Sequence, residues 1–348
     1  MWKTWRYKGL AGILAPSVVC TETELPDFLK GSGSHQYVAN KFIEDRIGQH
    51  HMKHKNLHFV TVMDGHGGPQ AAEFLTREIP EIFLQKIAKE KSIVSALKST
   101  FHEADQTWFN LVHPAYQLGF TAPIKVGACA LAIVVDEKEI TVASVGDCKC
   151  VLARDDGSSM DLNVERNINN EQEQERLRLL HPGEEDIVRC KRSWQDTVLM
   201  KTLYAGCYVK GRLQPTKSFG DFHLKDSRVI LDHERQRPFL DPTTPKSFPY
   251  IDVDPDISVT KRSKSDRFLI AATDGLWDQF TSAEAVIIVE AALRAGLTPE
   301  RASEELVEAA LRNAAKNRNL KIEDMKAIPP GSTRRGIHDD ISVCILLL

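Results

Sequence analysis

Asp64-Gly65-His66-Gly67-Gly68 places a carboxylate and an imidazole two residues apart among glycines, where the apolar run Phe59 to Met63 stops. A buried strand aims such an Asp at one fixed point. Glycine lets backbone approach a ligand closely, and the two side chains offer a metal ligand and a proton donor. The arrangement recurs. Asp274-Gly275-Leu276-Trp277-Asp278 comes after the run Phe268 to Ala271, Val145-Gly146-Asp147 follows Ile140 to Ser144, and Asp339-Asp340 precedes the run Ile341 to Leu348. Each alone reads as a turn acid. Converging on one site, four strand-edge acids would repel by several kcal/mol unless a divalent cation neutralised them. Hard oxygen ligands without clustered Cys or His favour Mg2+ or Mn2+ over zinc.

These acids need strands to carry them and helices to cover them. The four β-branched, apolar runs predict the strands. Helical spacing begins after Pro69 with Ala71, Ala72, Phe74, Leu75 and Ile79, and Pro80 interrupts it. A second helix is predicted over Ile87 to Phe109. Thr281 with Glu284 three residues on is a capping-box signature, and Thr298 with Pro299 at the first helical position opens another helix. Strands and helices mix without regular βαβ alternation, which predicts an α+β fold with antiparallel sheets. Residues 155–250 are more polar, with Asn167, Asn169 and Asn170 before a charged helical run and a proline-bearing stretch from Pro238 to Pro249. The chain reads as one domain, 1–348, with 155–250 as an elaborated lobe and mobile flap beside the active site.

A chain of 348 residues, 42% of them hydrophobic, can bury a substantial core as one large domain or two small ones. A net charge of −3 gives no cationic excess for nucleic acid, so the expected partners are proteins or small molecules. Seven cysteines without a CxxC pair argue against a complete disulfide framework and for a reducing compartment. No apolar run reaches the ~18 residues needed to span a bilayer. Lys3, Arg6 and Lys8, with no acidic residue among the first twenty, give a weak likeness to a transit segment in which serine is scarce. A cytoplasmic monomer off the membrane is expected, with mitochondrion and nucleus as alternatives. His50, His51, His54 and His58, diluted by Lys53 and Lys55, read as a solvated loop rather than a zinc site. Glu171 to Arg178 reads as a solvated helix face, and Cys129 as a small buried residue.

Taken in order, Glu44-Asp45, Asp64-Gly65-His66-Gly67-Gly68, Val145-Gly146-Asp147, Ser218-Phe219-Gly220-Asp221, Asp274-Gly275-Leu276-Trp277-Asp278 and Asp339-Asp340-Ile341-Ser342 carry a resemblance to a family. From about Asn40 onward the chain resembles the metal-dependent protein phosphatases (PPM, type 2C). The resemblance implies a four-layer α-β-β-α sandwich of two antiparallel sheets flanked by helices, with metals in the cleft between the sheets. It implies that Asp64, the Gly65 carbonyl, Asp274 and Asp339 hold two Mg2+ or Mn2+ ions, that Glu44 and Asp45 fix water, and that Asp147 and Asp278, with Asp274, form a third, weaker site. Two such ions about 3.5–4 Å apart activate one water for attack on a phosphoserine or phosphothreonine of a protein substrate. Asp64 and His66 are then the catalytic pair, His66 as general acid for the leaving oxygen.

Asn40 stands where many members have a phosphate-binding arginine, so it is the candidate substrate-binding residue, and Lys217 stands where arginine is usual. The segment Ala39 to Arg46, with Leu213-Gln214-Pro215, is most like the pyruvate dehydrogenase phosphatase branch, where Asn at that position is expected. Asn40 and Lys217 motivate an alternative, a PPM-like pseudophosphatase used as a binding module. Retention of Glu44, Asp45, Asp64, His66, Asp274 and Asp339 argues for activity. A hydrolase of small phosphate esters would share all the metal ligands and differ at the cleft rim.

Overall fold

The computed structural model describes residues 18–20, 25–192, 204–229 and 247–348. Its larger sheet runs β1 (Val18–Cys20), β3 (Arg46–Met52), β4 (Leu57–His66), β5 (Gly127–Val135), β6 (Glu139–Val145) and β12 (Asp256–Lys261), with the short β11 (Phe219–Gly220) beside β5. Pairing is antiparallel except for β1 on β3, which is parallel. The second sheet runs β2 (Gly31–Tyr37), β14 (Ile341–Leu347), β13 (Asp266–Ala272), β7 (Lys149–Arg154) and β8 (Ser159–Asp161), antiparallel throughout.

Side-chain alternation assigns each strand residue to one of two faces. Val60, Val62, Leu131, Ile133, Leu269, Ala271, Cys344 and Leu346 pack together between the sheets. Their neighbours turn outward: Phe59, Met63, Ala130 and Ala132 meet the helices Gln70–Ile87 and Ile93–Gln117, and Phe268, Ile270, Val343 and Ile345 meet Ser282–Arg294 and Pro299–Asn317. The four-layer α-β-β-α sandwich follows from that alternation.

Local signals set the helix starts. Thr281 and Glu284 form the capping box, and Thr298 caps the helix that opens with Pro299. Pro80 does not end its helix, which continues to Ile87 because the buried face of Leu75, Ile79, Ile82 and Phe83 spans the proline and outweighs one lost hydrogen bond. The next helix begins at Ile93, behind the N-cap Ser92, rather than at Ile87.

The polar lobe has its own small core of Ile168, Leu177, Ile187, Val209 and Tyr250. There β9 (Val188–Arg192) pairs with β10 (Tyr204–Val209), and Cys190 lies opposite Cys207 with Cα atoms 3.9 Å apart, joined in a disulfide that cysteine counting did not anticipate. The charged helix Glu171–Leu180 is not all solvated: Glu173 and Leu177 are buried, and Glu173 binds Arg166, Arg176 and Thr216. His50 and His51 lie on β3 and His58 on β4, so these three sit in a hairpin rather than a solvated loop, with His58 buried. Residues 193–203 and 230–246 of the expected lobe and flap, and the basic residues Lys3, Arg6 and Lys8, lie outside the described residues. Among the described residues no helix is long and apolar enough to cross a membrane.

Candidate active site

The alternation that builds the core also aims the acids. Asp64 lies on the same face of β4 as Val60 and Val62, and Asp45, just ahead of β3, has the parity of Ile47, so both face the space between the sheets. Asp147 follows the end of β6 after Gly146 at φ 87°, and Asp274 opens a single helical turn directly after β13. Asp64, Asp147 and Asp274 each bring a ligand oxygen within 4.8 Å of the others. Asp339 stands outside that triad, ion-paired with Arg335. Asp278 lies one turn beyond Asp274, its N–H donating to the Asp274 carbonyl at 2.8 Å.

A second layer of polar groups holds this arrangement. Thr273 Oγ1 donates to Asp45 Oδ2 at 2.9 Å. Asp340 gathers the loop before β3: Oδ1 accepts the N–H groups of Ala39 (2.6 Å) and Asn40 (3.0 Å), and Oδ2 accepts the Glu44 N–H (2.9 Å) and the Asn40 side-chain amide (3.1 Å). The amide of Asn40 is therefore engaged in the scaffold. Gly65 is needed for the same packing, since a Cβ there would meet the Glu44 carbonyl oxygen at 2.5 Å. Lys217 donates to the Asp254 carbonyl at 2.7 Å and pairs with Asp256 at 3.5 Å.

His66 meets Asp221 with Nε2 to Oδ2 at 2.6 Å, and Ser218 Oγ donates to the same oxygen at 2.7 Å. β11 pairs with β5 at Phe219–Gly220, and Asp221 takes a left-handed conformation (φ 51°) that turns its carboxylate under the imidazole. Gly127 leaves the room: a Cβ there would meet Asp221 Oδ2 at 2.1 Å and His66 Nε2 at 2.6 Å. Sequence reading quotes Asp221 within a motif without giving it a role, and it misses the supporting roles of Thr273 and Asp340. The signal available was a polar residue beside each predicted ligand, which spacing alone does not interpret.

The electrostatics follow from crowding. Burial first, then the charges of Asp274, Asp45, Asp339 and Asp147, push the Asp64 carboxyl well above the usual range, and Asp274 is raised for like reasons. Burial, then Asp340, raises Asp45 and Glu44; burial, then Asp147, raises Asp278. Burial carries Asp339 up to about 7 against the pull of Arg335. At His66, burial opposes the imidazolium, but Asp221 outweighs it, with help from Asp147 and Glu44, and the pKa rises. Burial pushes the Cys129 thiol up, so it is no thiolate nucleophile.

Buried and half-buried carboxylates that repel one another, and an Asp274 Oδ1 that is buried without a hydrogen-bond partner among the described residues, form a donor set of hard oxygens that fits a divalent cation.

Comparison with known proteins agrees with this geometry. The family model described as "Protein phosphatase 2C" matches residues 29–319. "Probable protein phosphatase 2C 67" of Arabidopsis thaliana is 35% identical over 301 residues, 83% of this chain and 74% of the relative. "Probable protein phosphatase 2C 48" of the same plant is 31% identical over 371 residues, 99% of this chain and 90% of the relative. Among solved structures, the serine-threonine phosphatase 2C of Toxoplasma gondii superposes with a TM-score of 0.61 at 17% identity, covering 91% of this chain and 94% of its own.

Proposed function

This chain belongs to the protein phosphatase 2C family, and from that premise we propose how its cleft works as a metal-dependent protein-serine/threonine phosphatase. The reaction breaks the P–O bond to a seryl or threonyl side chain; water supplies the new P–O bond and the alcohol leaves with a proton. The pseudophosphatase alternative is not favoured, since the relatives are named phosphatases. One observation carries the reading: three carboxylates within 4.8 Å of one another in the cleft that also holds the His66–Asp221 pair.

Asp64, the Gly65 carbonyl, Asp274 and Asp339 are assigned to two Mg2+ or Mn2+ ions, Glu44 and Asp45 to orienting water, and Asp147 and Asp278, with Asp274, to a third ion. The closeness of Asp147 to Asp64 and Asp274 supports a ligand role for it at least as strong as that of Asp339. Bound there, divalent ions would supply positive charge to the phosphoryl oxygens and lower the pKa of water. Nε2–H of His66 donates to Asp221, which leaves Nδ1 to hold a proton and deliver it to the leaving oxygen. Asp221 orients the ring and favours its charged form. The likeness of residues 39–46 to the pyruvate dehydrogenase phosphatase branch is supported by the engagement of Asn40 with Asp340, which gives that amide a structural use. The enzyme is assigned to the cytoplasm as a monomer of one domain, with residues 155–250 as its lobe and flap.

Phosphate release from a phosphoserine peptide and from a phosphosugar, each with and without Mn2+, tests the reading. Release from the peptide that stops with EDTA is expected; full activity in a metal-stripped sample, or preference for the sugar, overturns it.

A further inference from the structure

A phosphate ester arrives as a dianion, and beyond any metal it needs N–H donors, best supplied in pairs by a guanidinium. Most cations near the acids are already committed. Arg46, 3% exposed, donates to the carbonyls of Ile43 (2.9 Å) and Asp45 (2.7 Å) and pairs with Glu73. Lys149, 8% exposed, lies over the Trp277 ring at 4.7 Å and against Glu165 at 3.3 Å. Lys217 is held by the Asp254 carbonyl, and the Asn40 amide by Asp340.

Arg335 differs from all of these. Its side chain is 49% exposed and meets Asp339 through Nη2. Asp339, which it contacts, and Asp278, which lines the same cleft, are both carboxylates assigned to the centre. It borders a cleft of about 420 Å³ shared with Asp278, Asp339, Gln279, Asn317 and Arg318, so open space for a ligand adjoins it. One contact to Asp339 uses one part of a planar group with five N–H donors and leaves an edge for another anion. Its backbone is fixed: the Arg335 N–H donates to Gly331, and the buried neighbour Arg334 ties the same turn to the carbonyls of Ile328 (2.7 Å) and Val38 (3.1 Å).

We propose that Arg335 is the phosphate-binding residue of this site, giving the substrate dianion the paired N–H contacts that Asn40, held by Asp340, does not supply. The assignment rests on the phosphatase reading above. Its pairing with Asp339 is then a ground-state partner that keeps the guanidinium at the rim until phosphate arrives.

The test is calorimetric titration of inorganic phosphate into the Mn2+-loaded protein, for wild type, Arg335→Ala and Arg335→Lys, alongside the Michaelis constant for a phosphoserine peptide. Phosphate affinity is expected to fall by about 10–100-fold in Arg335→Ala, as for the loss of hydrogen bonds between charged groups, with partial retention in Arg335→Lys and a parallel rise in the Michaelis constant. Mn2+ affinity is measured in the same variants. Unchanged phosphate affinity in a folded Arg335→Ala protein overturns the proposal, and a change confined to Mn2+ binding would instead make Arg335 a positioning residue for Asp339. Phosphate binding is read without turnover. A wild type that binds phosphate through Arg335 but hydrolyses no phosphopeptide would therefore refute the phosphatase reading and leave this assignment standing. If Arg335→Ala does not fold, Arg335→Lys, which keeps the charge, decides the matter: affinity equal to wild type refutes a need for paired N–H contacts.

Discussion

With Nε2 of His66 donating to Asp221, the proton for the leaving group sits on Nδ1. His66→Gln is expected to slow a phosphoseryl peptide, whose alkoxide needs that proton, by about 10²–10⁴-fold. The activated ester p-nitrophenyl phosphate, whose leaving group is stable as an anion, should slow far less. Asp221→Asn should shift the ratio of the two rates in the same direction by a smaller factor. Equal loss on both substrates, with weakened Mn2+ binding, would move His66 into the metal site. For the acids, Asp64→Asn or Asp274→Asn should abolish most turnover while leaving the metal-free melting temperature unchanged or higher, because one charge leaves a buried, mutually repelling group. A large drop in metal-free melting temperature contradicts that account.

At the scale of elements, strands place the chemistry and small residues let them close. Gly127 on β5 faces the His66–Asp221 pair, so Gly127→Ala should separate the two side chains. The expected result is a larger loss on the phosphopeptide than on p-nitrophenyl phosphate, with Mn2+ binding retained; equal rates to wild type would show that the pair can shift without cost. The capping box at Thr281 is remote from the chemistry, and Thr281→Ala should lower stability by about 1 kcal/mol in urea unfolding without changing turnover. That box and the Thr298-Pro299 start are readable from sequence because a cap needs only residues three apart. The helix through Pro80 is not, because what overrides the proline is packing against residues distant in the chain.

For the whole molecule, a group away from the cleft makes stability depend on pH. His58 is buried between strands, and burial, with His51 and His50 nearby, lowers its pKa from 6.5 to about 4. The unfolded chain takes up that proton from pH 6.5 downward, the folded one only near 4, so stability is intact above 6.5 and is lost as pH falls toward 4. The shift corresponds to about 3 kcal/mol at most. His58→Leu should therefore show a smaller fall in urea midpoint between neutral pH and about pH 4.5; an identical fall would mean that other groups carry the acid sensitivity.

Sequence by itself singled out acids at the edges of apolar runs as candidate cation ligands, because a strand of alternating residues fixes the side to which each side chain points. The four runs around Asp64, Asp147, Asp274 and Asp339 and the α+β class follow from such local rules. Tertiary structure alone decided which acids meet: Asp147 joins Asp64 and Asp274 within 4.8 Å while Asp339 pairs with Arg335, an outcome of how two sheets stack. It also decided that Asp221 serves His66, 155 residues away, and that Asn40 serves Asp340, 300 residues away. Contacts between residues so far apart depend on the register of several strands at once, and no spacing within one segment encodes them.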